Sequence, residues 1–279
     1  MLTHFKSILI TSENIEESHE QFHKLFGHDT SDICNDSDLK IYSHSLKNGS
    51  IELCENKNQK DIFYYSQLEK HNQDNGVQAL SIISDDIFGD HKKFKQMNLN
   101  ISDIEEIDFN FRNRKNVKSR LFSLKKTNSS DLNLLIFDKD TSLSNKGNYE
   151  DDTISKFNQI IIYTPDVEYL RNLFTEKLGI RLALDKIFNF GEKDIRMMFF
   201  RIGGVTLEVI ENPDSKSLSY GGVGWHSENI SKCHKRLIDS NFELSEIRKG
   251  RKPGTVVATI RNAPLKMPTI IIGLSLIHI

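Results

Sequence analysis

Arg248, Lys249, Arg251 and Lys252 stand immediately before Pro253-Gly254-Thr255, so four cations flank a turn whose backbone amides are expected to be free. Arginine meets planar oxyanions with paired hydrogen bonds, which suits such a loop to the carboxylate or phosphate of a small molecule. A solvated hairpin beside the strand VVATI accounts for the same residues without a ligand. A second basic set, Arg112, Arg114, Lys115 and Arg120, falls at the corresponding place in the first half of the chain. The histidine pair His19 and His23 lies four residues apart in a helical stretch. Both residues read as packed or solvated helix positions.

Bulk composition narrows the partners of any such site. The 279 residues carry 37 Lys plus Arg against 39 Asp plus Glu. That balance gives no general attraction to nucleic acid or to an anionic membrane, and the basic segments have no interleaved aromatics. A small-molecule ligand fits better. No stretch approaches the roughly 18 apolar residues of a membrane span, and MLTHFKSILITSEN lacks the basic start and long apolar run of a secretion signal. Cys34, Cys54 and Cys233 are odd in number and form no CxxC pair, which points to a reducing compartment, the cytoplasm by default, and to no disulfide framework. The last six residues, Leu274 to Ile279 (LSLIHI), look like a translated sequencing-adaptor end, with an ordinary closing strand as the alternative; nothing functional is read from His278.

The elements that would position a site repeat along the chain. SILITSENIEESHEQFHKLFG from Ser7 and QIIIYTPDVEYLRNLFTEKLG from Gln159 each give an apolar strand, a polar cap, an amphipathic helix and a terminal glycine. Asn14 and Asp166 cap the helices, with Glu16, Glu17 and Glu168 at the positive helix end. Ile15, His19, Phe22 and Phe26, and likewise Val167, Leu170, Phe174 and Leu178, recur at helical spacing and form one buried face. Gly27 and Gly179 supply left-handed caps. Strand-like runs follow at 40–46 and 50–55, and again at 195–202 and 205–210, with Asn48-Gly49 and Gly203-Gly204 as hairpin turns; one less obvious strand is allowed near Ile180 to Leu184 or its counterpart. Units beginning at Val77 and Val223 repeat the plan, with caps at Asp86 and Asn229. The result is four βαβββ units in an α+β chain. Residues 1–140 and 156–273 are read as two domains, joined by a polar linker at 141–155 and followed by the tail at 274–279. The length suits two cores of about 140 residues each.

Four such units, paired so that each pair curls its sheets around a cleft, resemble the vicinal-oxygen-chelate superfamily of glyoxalases, bleomycin-resistance proteins and extradiol dioxygenases. The most specific piece is GGVGWHSENISKCHKRLIDSNFELSEIRKGRKPGTVVATIRNAPLKMPTIIIG, with GRKPGT its strongest short match, which looks like the second module of bacterial two-domain glyoxalase-like proteins.

The resemblance implies a divalent metal held by His or Gln from first strands and Glu from last strands, where it would polarise a substrate oxygen. The first-strand positions, counted seven residues before each helix cap, are Ser7, Ala79, Gln159 and Gly222, and the last-strand positions are Glu52, Asn133, Glu208 and Ile270. Only Gln159, Glu208 and Glu52 can ligate, and two protein ligands rarely hold a catalytic ion unless water, substrate or an unmatched side chain completes the shell. His226, on the same strand and face as Gly222, is the candidate substitute ligand or general base. His4 is set aside, because strand alternation turns it away from Ser7.

The implied activity is that of a glyoxalase-like lyase or isomerase, or a dioxygenase relative, acting on a small oxygenated metabolite in the C-terminal cleft. In that scheme Glu208 is metal ligand or general base, His226 assists proton movement, and Arg251 and Lys252 hold an anionic group. The alternative is a metal-free protein that sequesters a small apolar or aromatic compound, with Trp225, Phe199, Phe200, Met197 and Met198 as walls. A homodimer is compatible with either, and the sequence leaves open whether each sheet closes within the chain or across a dimer.

Overall fold

The computed structural model describes residues 1–36, 39–55, 76–109, 112, 117–125, 132–139, 147–191 and 193–275. Arg114, Lys115, residues 141–146 of the expected linker and residues 276–279 lie outside them. The first unit runs β1 (Leu2–Ser12), α1 (Ile15–Phe26), β2 (Ser31–Asp36), β3 (Leu39–Leu46) and β4 (Gly49–Glu55). The second is β5 (Gly76–Ser84), α2 (Ile87–Gln96), β6 (Glu105–Phe109), β7 (Val117–Leu124) and β8 (Leu134–Asp138). The third is β9 (Lys156–Thr164), α3 (Val167–Asn172), β10 (Arg181–Asn189), β11 (Asp194–Ile202) and β12 (Val205–Glu211), with α3 widening into a π-helical turn over Leu173–Lys177. The fourth is β13 (Ser219–His226), α4 (Ile230–Asp239), β14 (Arg248–Lys249), β15 (Thr255–Ile260) and β16 (Thr269–Leu274). The four expected βαβββ units are present; β10 and β2 are the less obvious strand and its counterpart, while β6 and the short β14 are strands that the sequence pattern did not single out.

Each helix starts where a short polar side chain takes a free amide. Asn14, Asp86, Asp166 and Asn229 accept from the backbone N–H of Glu17, Gly89, Tyr169 and Lys232. Units one and two form one eight-stranded sheet in the order β2-β3-β4-β1-β5-β8-β7-β6, and units three and four form its counterpart, β10-β11-β12-β9-β13-β16-β15-β14. Within every unit the first and last strands run parallel, and the two first strands of each sheet pair antiparallel.

Both sheets curl on themselves within the chain. In the first, the backbone N–H of Arg112, beyond β6, donates to Ile33 on the far edge strand β2 at 2.8 Å. In the second, the edges meet through side chains, with the Arg251 guanidinium 4.6 Å from the Phe190 ring centroid and 4.0 Å from Met197 Sδ.

The main apolar core is one continuous cluster spanning both halves instead of one core per domain. Phe5 and Phe157, equivalent residues of β1 and β9, meet edge to face at 5.0 Å, and Trp225 packs against Phe157 and Phe26 at 4.9 and 5.2 Å. Asn48, in the β3–β4 turn, donates to the Phe157 carbonyl and accepts from its N–H, satisfying a backbone that bulges out of its ladder. Arg236 of α4 donates to the carbonyls of Lys24, Leu25 and Asp152, closing the C-terminus of α1 from the other half. Gly27 makes room for that contact. Its left-handed φ of 76° suits glycine, and a Cβ there would come within 2.5 Å of Arg236 Cζ. The described part of the expected linker packs into this seam, with Ile154 buried in the shared core. No helix among the described residues is long and apolar enough to cross a membrane. The three cysteines are free and buried.

Candidate active site

A β-bulge sets the faces of each barrel. Register in the β1–β5 ladder shifts between Phe5 and Ser7, and in β9–β13 it passes from Gln159 opposite Gly224 to Phe157 opposite Trp225. The extra residues, Lys6 and Asn158, break strict alternation. Phe5 and Phe157 therefore enter the shared core, while Ser7 and Gln159 face the concave interior.

The same register corrects the count of corner positions. Ser7 pairs with Ser81, and Gln159 with Gly224, so the first-strand partners are Ser81 and Gly224 rather than Ala79 and Gly222. Counting from the parallel partners Leu135 and Ile270, the residues that match Glu52 and Glu208 are Phe137 and Ile272 rather than Asn133 and Ile270. Seven residues separate corner from cap in units one and three, from Ser7 to Asn14 and from Gln159 to Asp166. Only five do so in units two and four, from Ser81 to Asp86 and from Gly224 to Asn229.

In the C-terminal barrel these positions converge. A Cβ on Gly224 would lie 2.8 Å from Gln159 Cγ and 3.1 Å from Ile272 Cδ1, so Gln159 leans across space that only a glycine leaves open. Its amide donates to Glu208 Oε2 at 2.5 Å. Glu208 is 6% exposed, and burial pushes its carboxyl above the usual carboxylate range, an effect partly offset by the positive Arg251 and by the Gln159 hydrogen bond. A buried carboxyl raised in this way can hold or release a proton near the working pH, or bind a hydroxyl or amide. Around it Gln159, Ile161, Phe199, Arg201, Thr259 and Ile270 are only partly buried, so the interior is accessible.

The N-terminal barrel has the same corners and a different content. Lys6, the bulge residue, turns its ammonium inward to Glu52 Oε1 at 2.7 Å and lies 4.3 Å from the Phe137 ring centroid. Leu9, Cys34, Ile41, Cys54, Ala79, Phe109, Leu121, Leu135 and Phe137 fill the remaining interior as a second apolar cluster. An ammonium and close-packed side chains thus take the space that stays open around Glu208.

The other expected site residues are placed unevenly. Arg251 acts on Glu208 electrostatically and closes the barrel edges. Lys252 is exposed, and its carbonyl accepts from Thr255 within the turn. His226 sits at the end of β13 opposite Lys156, with Nε2 3.4 Å from Glu228, and makes no hydrogen bond or ion pair with Glu208 or Gln159 among the described residues. Trp225, expected as a cleft wall, is instead fully buried in the core between the halves, because Val223 and Trp225 share the face opposite Gly224. Met198 and Phe200 likewise belong to the shared core, where Phe200 packs on Phe174, whereas Phe199 stands opposite Glu208. His19 stacks on Tyr42 at 4.1 Å and shares a hydrogen bond with buried His44 at 3.0 Å, so it is a packing residue.

The donor set does not fit a resident divalent ion. Of four converging corners only Gln159 and Glu208 carry heteroatoms, the Gln159 amide is engaged with Glu208, and Arg251 adds positive charge. No group of three or more His, Cys, Asp or Glu among the described residues could hold a metal.

The architecture is that of the vicinal-oxygen-chelate fold, two domains of paired βαβββ units. A triple variant of 4-hydroxymandelate synthase from Streptomyces coelicolor superposes with a TM-score of 0.70 at 10% identity, covering 98% of this chain and 93% of the other. The Mn(II)-bound glyoxalase from Novosphingobium aromaticivorans gives 0.66 at 10% identity, over 98% and 82% of the two chains. The 2,3-dioxygenase LapB from Pseudomonas gives 0.64 at 9% identity, over 98% and 92%. No protein-family model and no curated protein matches the sequence. At these identities the likeness establishes the fold alone.

Proposed function

We propose that this protein is a metal-independent small-molecule binder of the vicinal-oxygen-chelate fold, with its ligand seated on the concave face of the C-terminal sheet. The contrast between the two barrels carries the reading. One interior is filled by Lys6 and a packed apolar cluster, whereas the other keeps Glu208 and Gln159 at the floor of an accessible cleft. The ligand places a hydroxyl, amide or similar group on the Glu208–Gln159 pair and its apolar body against Ile161 and Phe199, with Arg251 at the mouth.

A second reading, catalysis by proton transfer, is favoured by one observation, the raised and buried Glu208 carboxyl. In it Glu208 serves as acid or base without a resident metal. His226 takes no part unless ligand binding rearranges its contact with Glu228.

Elemental analysis of protein purified without chelator, together with a ligand-observed NMR screen of small hydroxylated compounds, tests the proposal. Substoichiometric metal and hits that weaken in Glu208→Ala are expected. Stoichiometric divalent metal that disappears in Glu208→Ala would overturn it in favour of the metalloenzyme implied by the family resemblance.

A further inference from the structure

At the β13–β16 end of the C-terminal sheet lies a cavity of about 390 Å³. Its walls are apolar, with Ile161, Met267, Pro268 and Ile270 lining it, and its charged side chains are Arg261 and Lys266. Ile161 and Ile270 belong to the concave face, Ile161 being the ladder partner of Glu208. The cavity thus borders the concave face beside Glu208, forming a lobe away from the Arg251 clasp. Neither cation has a side-chain hydrogen bond or ion pair among the described residues. This sets them apart from Lys6, Lys156 and Arg196, which are all paired. Lys266 is carried by unusual backbone. It and Leu265 both adopt left-handed conformations, φ 54° and 56°, which L residues rarely take in succession, and the bend brings Lys266 to the lobe beside Arg261.

We propose that this lobe is a binding subsite for an amphipathic anion, a small carboxylate or phosphate monoester with an apolar chain. The apolar walls take the chain, and Arg261 and Lys266 neutralise the head, with Arg261 able to offer two parallel N–H donors to it. The assignment stands on the lobe's own residues and goes beyond the cleft reading. It also differs from the anion role expected of Arg251 and Lys252, since Arg251 is engaged with Phe190, Met197 and Glu208.

The test uses octanoate as the anionic probe and 1-octanol as its neutral counterpart, titrated calorimetrically into the full chain, with methyl NMR locating the site. Octanoate binding with shifts centred on the Ile161 and Ile270 methyls is expected. The Arg261→Gln, Lys266→Gln double variant should weaken it by roughly tenfold or more while leaving octanol unchanged. Both residues are exposed, so the variant should keep the wild-type melting temperature, and Arg261→Lys should restore part of the affinity. The proposal fails if octanoate does not bind, if the double variant binds it as the wild type does, or if the shifts fall away from these methyls.

Discussion

Arg251 lays its guanidinium 4.6 Å from the ring centroid of Phe190, so a cation from the β14–β15 loop and an aromatic from the β10–β11 turn join the two edges of the C-terminal sheet. The same guanidinium pulls the Glu208 carboxyl downward against the stronger effect of burial. An exposed cation–π contact contributes only about 0.5–1 kcal/mol, so Arg251→Ala should change stability little. The Glu208 carboxyl should titrate at higher pH in that variant. Carbon-detected NMR of the side chain reads this directly, and an unmoved titration would show that Arg251 does not act on the site.

Glu208 also bears on stability. Its folded-state pKa lies above the unfolded value, so the folded protein holds this proton more tightly. Stability is lost as pH rises from the unfolded carboxyl range, near about 4.3, through the raised folded value. Glu208→Gln keeps an acceptor for Gln159 and removes the charge. It should melt above wild type near neutral pH, with the gap closing on acidification below the carboxyl range. A gap that persists in acid would point to packing instead.

The histidine cluster runs in the opposite sense. Burial holds the His44 imidazole well below the ordinary histidine value, and His19 and His28 are lowered for the same first reason. The unfolded chain therefore binds protons that the folded one refuses. Stability is full above about pH 6.5 and falls as pH drops below it. Thermal melts between about pH 8 and 5 should show this loss, and His44→Gln should flatten the slope. An equal slope in the variant would remove His44 from the account.

The Lys6–Glu52 pair is buried on both sides, at 7% and 6% side-chain exposure. Removing one partner of such a pair typically costs about 3–5 kcal/mol, whereas replacing both by apolar residues of similar size is often close to neutral. Lys6→Met should therefore destabilise strongly in urea, and Lys6→Met with Glu52→Leu should recover most of the loss. If the double variant is no better than the single one, other contacts of Lys6 dominate.

Much of the architecture is legible from local rules. The Asn or Asp caps, the 152-residue spacing of the repeated strand and helix, and the period of the α1 and α3 faces all depend on neighbours a few residues apart, and each appears where the pattern places it. Glu208 and Gln159 were singled out by the family resemblance, and their side chains do meet. The strand β10 was faint because it is an exposed edge whose residues have no buried face to alternate against.

What a sequence of residue types determines here is the order of strands and helices, their caps and the identity of the acids and amides available to a cleft. Which of those groups meet was decided in three dimensions. One bulge residue in each half, Lys6 and Asn158, shifts the ladder and sends Phe5 and Phe157 to the core, with Trp225 beside them. Alternation along a strand is a local property, but a bulge stabilised by Asn48 from another unit is not, so no local pattern announces it. The filled N-terminal barrel, the open C-terminal one and the lobe under Lys266 likewise come from contacts between distant segments, whose free energy exists only once the chain has closed on itself.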